Sequence, residues 1–290
     1  MREITIDRER CIVCGACVDN CVRGIYQLTD EQIEIGDASQ CLFCGHCVAV
    51  CPEDAIQLPV VNMQEFKSGP SRDRWPQPDL LLDLFRSRRS TRRYKDRPVE
   101  KDKIEMIIEA GRFAPTGGNL QPFRFSVVQT PGVLQSIKDM MADMVMQHAQ
   151  ELESILNEKI RKGESISGAD HIQQNYINSL RRMARANKEG VDKMLWGAPV
   201  LISLHAPPEF ETAAVNAGLA GMQMVLMAEA LGLGTCYIGL VDRAANSVPE
   251  IKAAMKIHAD RPVCLAFVTG YPEVEFHKLV SRKSARVTWA

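Results

Sequence analysis

The chain has 290 residues, of which 46% are hydrophobic and 24% are charged, a balance typical of globular proteins. This length allows one large domain or two of ordinary size. The formal net charge of −1 gives no global positive field of the kind that binds nucleic acid or anionic membranes. No uncharged apolar run reaches the about 18–20 residues of a membrane span, and the charged first ten residues do not resemble a secretory signal. We therefore expect a cytoplasmic protein without nucleic-acid or membrane partners.

Cysteine is the one residue type with an unusual distribution. Eight of the ten cysteines fall into two motifs of identical spacing, Cys11-x2-Cys14-x2-Cys17-x3-Cys21 and Cys41-x2-Cys44-x2-Cys47-x3-Cys51. Disulfides fit poorly, since thiols stay reduced in the cytoplasm. Zinc ribbons use two Cys-x2-Cys pairs, whereas three cysteines follow one another here before the fourth. The spacing favours iron–sulfur clusters.

Residues 1–61 resemble a bacterial-type ferredoxin domain with two 4Fe-4S clusters, on the evidence of these two motifs. In that family the fourth cysteine of each motif ligates the other cluster. The resemblance implies one cluster, here named cluster one, with the ligands Cys11, Cys14, Cys17 and Cys51. It implies a second, cluster two, with the ligands Cys41, Cys44, Cys47 and Cys21. Val22 stands where the family has a proline, which weakens a turn signal and leaves the ligand count unchanged.

Charge supports a separate amino-terminal module. Residues 1–62 contain ten acidic and four basic side chains, a net charge of −6, so the remaining residues carry a net charge of +5. This asymmetry suits docking of an acidic electron carrier on its own basic body or on a basic partner. Residues 62–79 contain three prolines and predict an extended linker to a domain at 80–290.

The remaining elements follow from periodicity and from the usual helix start and stop signals. Asp79 is the expected N-cap of a first helix. Further helices are predicted at 101–113, 131–162, from about 170 to 190, 212–231 and 249–256. Strands are predicted at 123–129, 199–205, 236–241 and 263–269. The apolar helix 212–231 is expected to be buried on every side, and residues 131–190 are expected to form a helical insert. Strands and helices alternate without a regular βαβ period, which favours an α+β fold.

A basic run occupies residues 86–97, where seven of twelve side chains are Arg or Lys. One interpretation is a solvated helix end, where cations meet the negative end of the dipole. A second interpretation is a nucleic-acid contact, which a single short basic run supports only weakly. A third is a phosphate site, because Arg forks and a Ser hydroxyl match phosphate oxygens.

Three motifs in order resolve this choice. They are RRSTR at 88–92, APTGGNLQPF at 114–123 and ALGLGTCYIG at 230–239. Together they resemble the FMN-dependent nitroreductase family. The resemblance implies an α+β flavin domain at 80–290, with a mixed sheet flanked by helices, and a homodimer.

The resemblance also implies the residues that bind FMN. Contacts to the phosphate, the ribityl chain and the pyrimidine edge are expected from Arg88, Arg89, Ser90 and Arg92. Contacts to the ring are expected from Asn119, with Gln121 beside it, and from the backbone of Tyr237, Ile238 and Gly239. Near the carboxyl end, Arg282 and Lys283 match the basic residue that grips the phosphate. No general acid is identified.

Clusters pass one electron at a time, whereas a flavin accepts one and hands on two. We therefore expect an oxidoreductase that takes electrons from an external donor, a reduced ferredoxin or NAD(P)H. The clusters would pass them to FMN, which would reduce a small electrophile such as a nitroaromatic or a quinone. Two alternatives stay open: an NAD(P)H-dependent flavin reductase with the clusters as exit, and a redox carrier or sensor without a substrate. The helical insert 131–190 is expected to act as a lid.

Overall fold

The computed structural model describes residues 4–165 and 167–290 and divides the chain into two compact units. The first unit contains the described residues up to Pro76 together with Thr116–Leu120. The second unit contains Gln77–Pro115 and Gln121–Ala290. Among the described residues no helix has both the length and the apolar character needed to cross a bilayer.

The first unit repeats one small motif. Two short helices each follow a cysteine loop, and two antiparallel strand pairs enclose them. The elements are β1 (Thr5–Ile6), α1 (Ala16–Asn20), β2 (Tyr26–Leu28), β3 (Ile33–Ile35), α2 (His46–Val50) and β4 (Ile56–Gln57), with β1 pairing β4 and β2 pairing β3. This unit has a core of its own, centred on Ile4, Ile25, Tyr26, Ile33, Val48, Ile56 and Leu58.

Glycine is required immediately before each short helix. Gly15 and Gly45 adopt the left-handed conformation with φ of 76° and 75°, which side chains other than glycine rarely adopt. At Gly45 space is limiting as well, since a Cβ would lie 2.7 Å from Cζ of Phe66. These turns bend the chain so that three cysteines of each motif line one cavity.

The second unit is built on a four-stranded antiparallel sheet with the strand order β5-β6-β8-β7. The strands are β5 (Arg124–Val128), β6 (Val200–His205), β7 (Gly234–Tyr237) and β8 (Val263–Gly270). The helices are α3 (Pro78–Ser87), α4 (Lys101–Arg112), α5 (Pro131–Arg161), α6 (Gly168–Lys188), α7 (Ala213–Ala230), α8 (Gly239–Ser247) and α9 (Pro249–Ala254).

Successive side chains of a strand point to opposite faces of the sheet. Since apolar side chains lie on both faces here, helices cover both of them. Side chains such as Ile202 and Phe267 pack with α4 and α7 on one face. Leu201 and Val268 pack with α5, α6, α8 and α9 on the other. The α+β fold is thereby confirmed. The sheet was expected to be mixed, but its named strands all pair antiparallel; an isolated parallel bridge between Ser90 and Thr235 lies at its β7 edge.

Residues 131–190 form the predicted pair of long helices. The guanidinium of Arg181 on α6 forms a bidentate ion pair with Glu153 on α5, at 2.6 and 2.5 Å. Ser167 and Asp170 form a capping box at the start of α6, and Lys159 on α5 donates to the same Asp170 carboxylate. These contacts hold the two helices antiparallel.

Two sequence expectations about element boundaries are wrong. The first helix begins at Pro78 with Gln77 as its cap, so Asp79 lies inside the first turn, where proline is a favoured starting residue. The strand predicted at 236–241 ends at Tyr237, and α8 begins at Gly239. A short continuous apolar run does not distinguish a buried strand from a buried helix.

Helix α7, which was expected to be buried on every side, has an exposed face in the single chain. Val215, Leu219 and Met222 lie one helical turn apart and are 69%, 45% and 38% exposed. The apolar residues of α3 and of the tail after β8 are exposed as well. They are Leu80, Leu81, Leu82, Phe85, Phe276, Leu279, Val280, Val287 and Trp289. Exposed apolar surface of this extent marks an interaction surface.

Replacing Gly234 by Ala should detach residues 88–91 from the sheet. A Cβ at position 234 would lie 2.7 Å from Cβ of Thr91, whose amide donates to the Thr235 carbonyl at 2.8 Å. We expect Gly234→Ala to lower the free energy of unfolding by about 1–3 kcal/mol through overpacking, measured by urea denaturation. Gly132→Ala is the control, because nothing lies within 4 Å of a Cβ there. Equal effects of the two substitutions would contradict this packing.

Candidate functional site

The eight motif cysteines surround two cavities in the first unit. One cavity is lined by Cys11, Cys14, Cys17 and Cys51, and the other is lined by Cys21, Cys41, Cys44 and Cys47. Each cavity therefore takes three thiols from one motif and the fourth from the other. The two cavities are nearly equal in size, about 360 and 370 Å³ with the space that opens to solvent included. All eight thiols are free.

Backbone amides point at the sulfurs of these cavities. Ile25 N donates to Cys21 Sγ and Ala55 N donates to Cys51 Sγ, both at 3.3 Å. These two contacts occupy equivalent positions of the two motifs, thirty residues apart. Amide donors stabilise negative charge on thiolate sulfur. The donor set of four thiolates with amide support suits an iron–sulfur cluster in each cavity.

A tyrosine hydroxyl supports one sulfur of the second cavity. Tyr26 OH donates to Cys47 Sγ at 3.1 Å, and the Tyr26 side chain is buried. Burial raises the pKa of the Tyr26 phenol above its ordinary value, so the hydroxyl keeps its proton and acts as a donor. The thiols line cavities and do not converge on a point. Within residues 4–165 and 167–290, no group of three or more His, Cys, Asp or Glu is placed to hold a single metal ion.

The loop predicted to reach the flavin ring contacts one of the cysteine loops. Thr116–Leu120 packs in the first unit, where Asn119 Nδ2 donates to the carbonyl oxygens of Leu42 and Phe43, both at 3.1 Å. The backbone of Asn119 is left-handed, with φ of 53°. Its side chain is thus bound to the segment between Cys41 and Cys44. No sequence signal indicated this contact, since the partners lie 77 and 76 residues apart.

The basic run and the strand before α8 come together in the second unit. Ser90 bridges Thr235 in parallel, and the Thr91 amide donates to the Thr235 carbonyl. Tyr237 lies two residues further along the same strand. Burial raises the pKa of Tyr237 to about 12, and the charge of nearby Arg88 lowers it in part. The structure thereby places two of the predicted flavin segments side by side.

Arg89 has an unused donor in this region. Its Nε atom is buried and has no hydrogen-bond partner, while its Nη1 donates to the carbonyls of Arg86 and Arg88. Burial raises the pKa of the nearby Glu229 carboxyl, which the charges of Arg88 and Arg89 lower in part. A buried donor without an acceptor is costly. Phosphate or ring oxygens of a flavin are acceptors that fit it.

The other predicted flavin residues are less closely grouped. The guanidinium of Arg92 lies over the Trp196 ring, 5.6 Å from its centre. Gln121 adopts a left-handed conformation with φ of 46°, Ile238 is buried, and Gly239 opens α8. Arg282 and Lys283 lie exposed in the extended tail, where Arg282 donates to the neighbouring Ser281 carbonyl.

Family models match the sequences of both units. Residues 85–271 match the model of the nitroreductase family, and residues 3–52 match the model of a 4Fe-4S dicluster domain. The chain belongs to the nitroreductase family. It is therefore an oxidoreductase of that family with an amino-terminal 4Fe-4S dicluster domain.

Individual relatives cover most of the nitroreductase part. The NADH dehydrogenase of Thermus thermophilus is 26% identical over 191 residues, which is 65% of this chain and 84% of that protein. A Bacteroides fragilis nitroreductase structure with bound FMN aligns with a TM-score of 0.56 and 20% identity, covering 72% of this chain and 98% of its own. A Desulfitobacterium hafniense nitroreductase with bound FMN gives 0.51 and 19%, covering 71% and 97%. These two likenesses establish the shared fold.

Sequence reasoning missed a half-buried pair, Arg261 and His205, that holds the segment after Gln121 in this nitroreductase-family chain. Arg261 Nε donates to His205 Nδ1 at 2.9 Å, and Arg261 Nη2 donates to the Pro122 carbonyl at 3.0 Å. Burial and the Arg261 charge lower the pKa of His205 to about 4, so the ring is neutral and its Nδ1 accepts. The pair ties the end of β6 to the predicted flavin loop.

Sequence reasoning also missed Asp242, a carboxyl in the first turn of α8. Its Oδ1 is buried without a hydrogen-bond partner. Burial raises the pKa of Asp242 to about 7, and a hydrogen bond from the Ala266 amide lowers it only in part. The group lies three residues after Gly239. A buried carboxyl that titrates near neutral pH is able to hold and release a proton there.

Asp242 should make the stability of this unit depend on pH. Because burial raises its pKa in the folded chain to about 7 from an ordinary value of 3.8, the folded state binds the extra proton between these values. Stability from this group therefore falls as pH rises from about 4 to 7. We expect Asp242→Asn to raise the free energy of unfolding by about 1–3 kcal/mol at pH 8 and by less at pH 5, measured by urea denaturation. The exposed Asp143→Asn serves as control, and a gain that is the same at both pH values would contradict the assignment.

Proposed function

We propose that the chain is an FMN- and iron–sulfur-dependent oxidoreductase. Electrons from an external donor pass through two 4Fe-4S clusters to FMN, which reduces a small electrophile such as a nitroaromatic or a quinone. The observation that carries this proposal is the pair of cysteine cavities, each completed by a cysteine from the other motif. Such oxygen-labile groups suit a reducing cytoplasm.

The proposed ligands of cluster one are Cys11, Cys14, Cys17 and Cys51, and those of cluster two are Cys21, Cys41, Cys44 and Cys47. The grouping of thiols around the two cavities supports these sets. The repeated amide contacts to Cys21 and Cys51 support the same assignment, because each fourth cysteine is then held by the half that does not supply the other three. The clusters supply one-electron transfer when bound.

The proposed flavin site lies along the Arg88–Thr91 segment and β7. Arg88, Arg89, Ser90 and Arg92 would bind the phosphate, the ribityl chain and the pyrimidine edge. The unpartnered Arg89 Nε supports this, because it needs an oxygen acceptor. Asn119 and Gln121 would meet the ring, with the backbone of Tyr237, Ile238 and Gly239 under it. Arginine charge near the pyrimidine edge would stabilise negative charge there.

A second candidate differs in the direction of electron flow. The relative from Thermus thermophilus is named an NADH dehydrogenase, which favours NAD(P)H as donor with the clusters as electron exit. The first candidate requires reduced ferredoxin to bleach the flavin on the catalytic timescale. The second requires NAD(P)H to do so. Rapid-mixing absorbance spectroscopy with each donor separates them.

We also propose a homodimer. The exposed apolar row of α7, the apolar face of α3 and the extended tail give one chain a large amount of uncovered apolar surface. A second copy of the chain would cover it. In the dimer the tail would bring Arg282 and Lys283 to a flavin phosphate, which accounts for their exposure in the single chain.

Cofactor content tests the main proposal. Anaerobically purified and reconstituted protein should contain about eight irons and eight sulfides per chain, and FMN should be released on denaturation. Arg89→Ala should weaken FMN binding about 10–100-fold, because a charge-assisted hydrogen bond contributes about 1.5–3 kcal/mol, measured by fluorescence titration. Arg93→Ala is the matched control, since Arg93 pairs with Glu273 at 3.0 Å. Iron below about four per chain, or equal affinities of the two variants, would contradict the assignment.

Removing the tail tests the dimer. Deletion of residues 274–290 should shift the protein from dimer toward monomer and weaken FMN binding, because it removes both apolar contacts and Arg282. Light scattering coupled to size-exclusion chromatography gives the mass. The double substitution Arg282→Ala and Lys283→Ala is the control and should keep the dimer while lowering FMN affinity. A monomeric full-length protein would contradict the proposal.

A further inference from the structure

We propose that the two clusters are not equivalent and that cluster two has the higher reduction potential. This inference rests on the proposed function. It is argued from the internal repeat, in which each position of the first motif has a counterpart thirty residues later. The repeat allows the two cavities to be compared residue by residue. Features that both cavities share cannot cause a difference in reduction potential.

The burial of one ligand pair and one amide contact match between the halves, whereas the amide contact from Phe43 N to Cys41 Sγ, at 3.3 Å, is seen in the second half. Cys17 and its counterpart Cys47 are 8% and 9% exposed. Cys21 and Cys51 each accept a backbone amide at 3.3 Å. Solvent exposure and backbone hydrogen bonds to sulfur are two of the factors that set the potential of an iron–sulfur cluster. At these positions neither factor separates the two clusters.

A side-chain hydrogen bond does separate them. Tyr26 OH donates to Cys47 Sγ at 3.1 Å in the second cavity. Its counterpart in the repeat is Ile56, which has no hydroxyl to offer Cys17. A donor to a ligand sulfur stabilises the extra negative charge of the reduced cluster. The contact therefore raises the potential of cluster two relative to cluster one.

Charge acts in the same direction. Arg23 lines the second cavity, and its counterpart Glu53 lines the first. His46, also at the second cavity, replaces Ala16. Reduction adds one negative charge, which a nearby guanidinium favours and a nearby carboxylate opposes. The Arg23 and Glu53 side chains are exposed, so solvent weakens their effect on the reduction potential without changing its sign.

Asn119 makes a further contact at cluster two. Within the first unit, Asn119 Nδ2 binds the Leu42 and Phe43 carbonyls, which lie between two ligands of cluster two. Their counterparts in the first motif are Ile12 and Val13. The Asn119 side chain is thus bound to the cluster-two loop. With both clusters bound, one electron from a low-potential one-electron carrier would enter at cluster one and pass on to cluster two, and no proton would move.

Potentiometric titration of the reconstituted full chain, followed by electron paramagnetic resonance, tests the inference. Tyr26→Phe should lower the higher of the two cluster potentials by the equivalent of up to a tenfold change in the electron-sharing equilibrium, about 59 mV for a one-electron couple. The lower potential should not move. Tyr176→Phe, which removes a hydroxyl that accepts from Arg243, is the control and should move neither.

If the Tyr26→Phe protein does not bind two clusters, Arg23→Glu serves as a second variant. Arg23→Glu changes an exposed side chain and should also lower only the higher potential. Asn119→Ala should alter the resonance spectrum of the higher-potential cluster alone. A shift confined to the lower potential, equal shifts of both, or none would overturn the inference. Failure of the wild-type chain to bind two clusters would instead overturn the proposed function.

Discussion

Each cysteine cavity is completed by a thiol from the other half of the repeat, and this crossing is the constraint on which the first unit depends. A short Cys-x2-Cys-x2-Cys loop surrounds three sides of a cavity, and its own fourth cysteine points away into the other one. The left-handed Gly15 and Gly45 make those loops tight enough. The halves therefore have to fold together, and two groups have to lie close enough to exchange electrons.

In the second unit, the packing has to hold Arg88 and Arg89 beside strand β7. The missing side chain of Gly234 lets Thr91 pack against β7, so the segment that contains Arg88 and Arg89 lies along the sheet edge. The Nε atom of Arg89 is then buried without an acceptor. Behind the edge, the neutral His205 and Arg261 fix Pro122, so the two predicted flavin segments are anchored independently.

Patterns that act locally were predictable from the sequence. The cysteine spacing predicted the grouping that the two cavities show, and the order of the RRSTR, APTGGNLQPF and ALGLGTCYIG motifs predicted the family that the comparisons confirm. Contacts between distant residues were not predictable. Examples are the bond of Tyr26 to Cys47, that of Asn119 to the Leu42 carbonyl, and the burial of Asp242. The exposed row of α7 was missed because an all-apolar helix shows no polar stripe to identify its uncovered side.

The central claim is that electrons reach the flavin through the clusters of the same chain. It is tested most directly by mixing chemically reduced ferredoxin with two anaerobic preparations of the full-length protein, both loaded with FMN. One contains its iron–sulfur clusters, and the other has had them removed with a chelator. The account predicts rapid loss of flavin absorbance in the first preparation and slow or no loss in the second. Equal rates in both would contradict it.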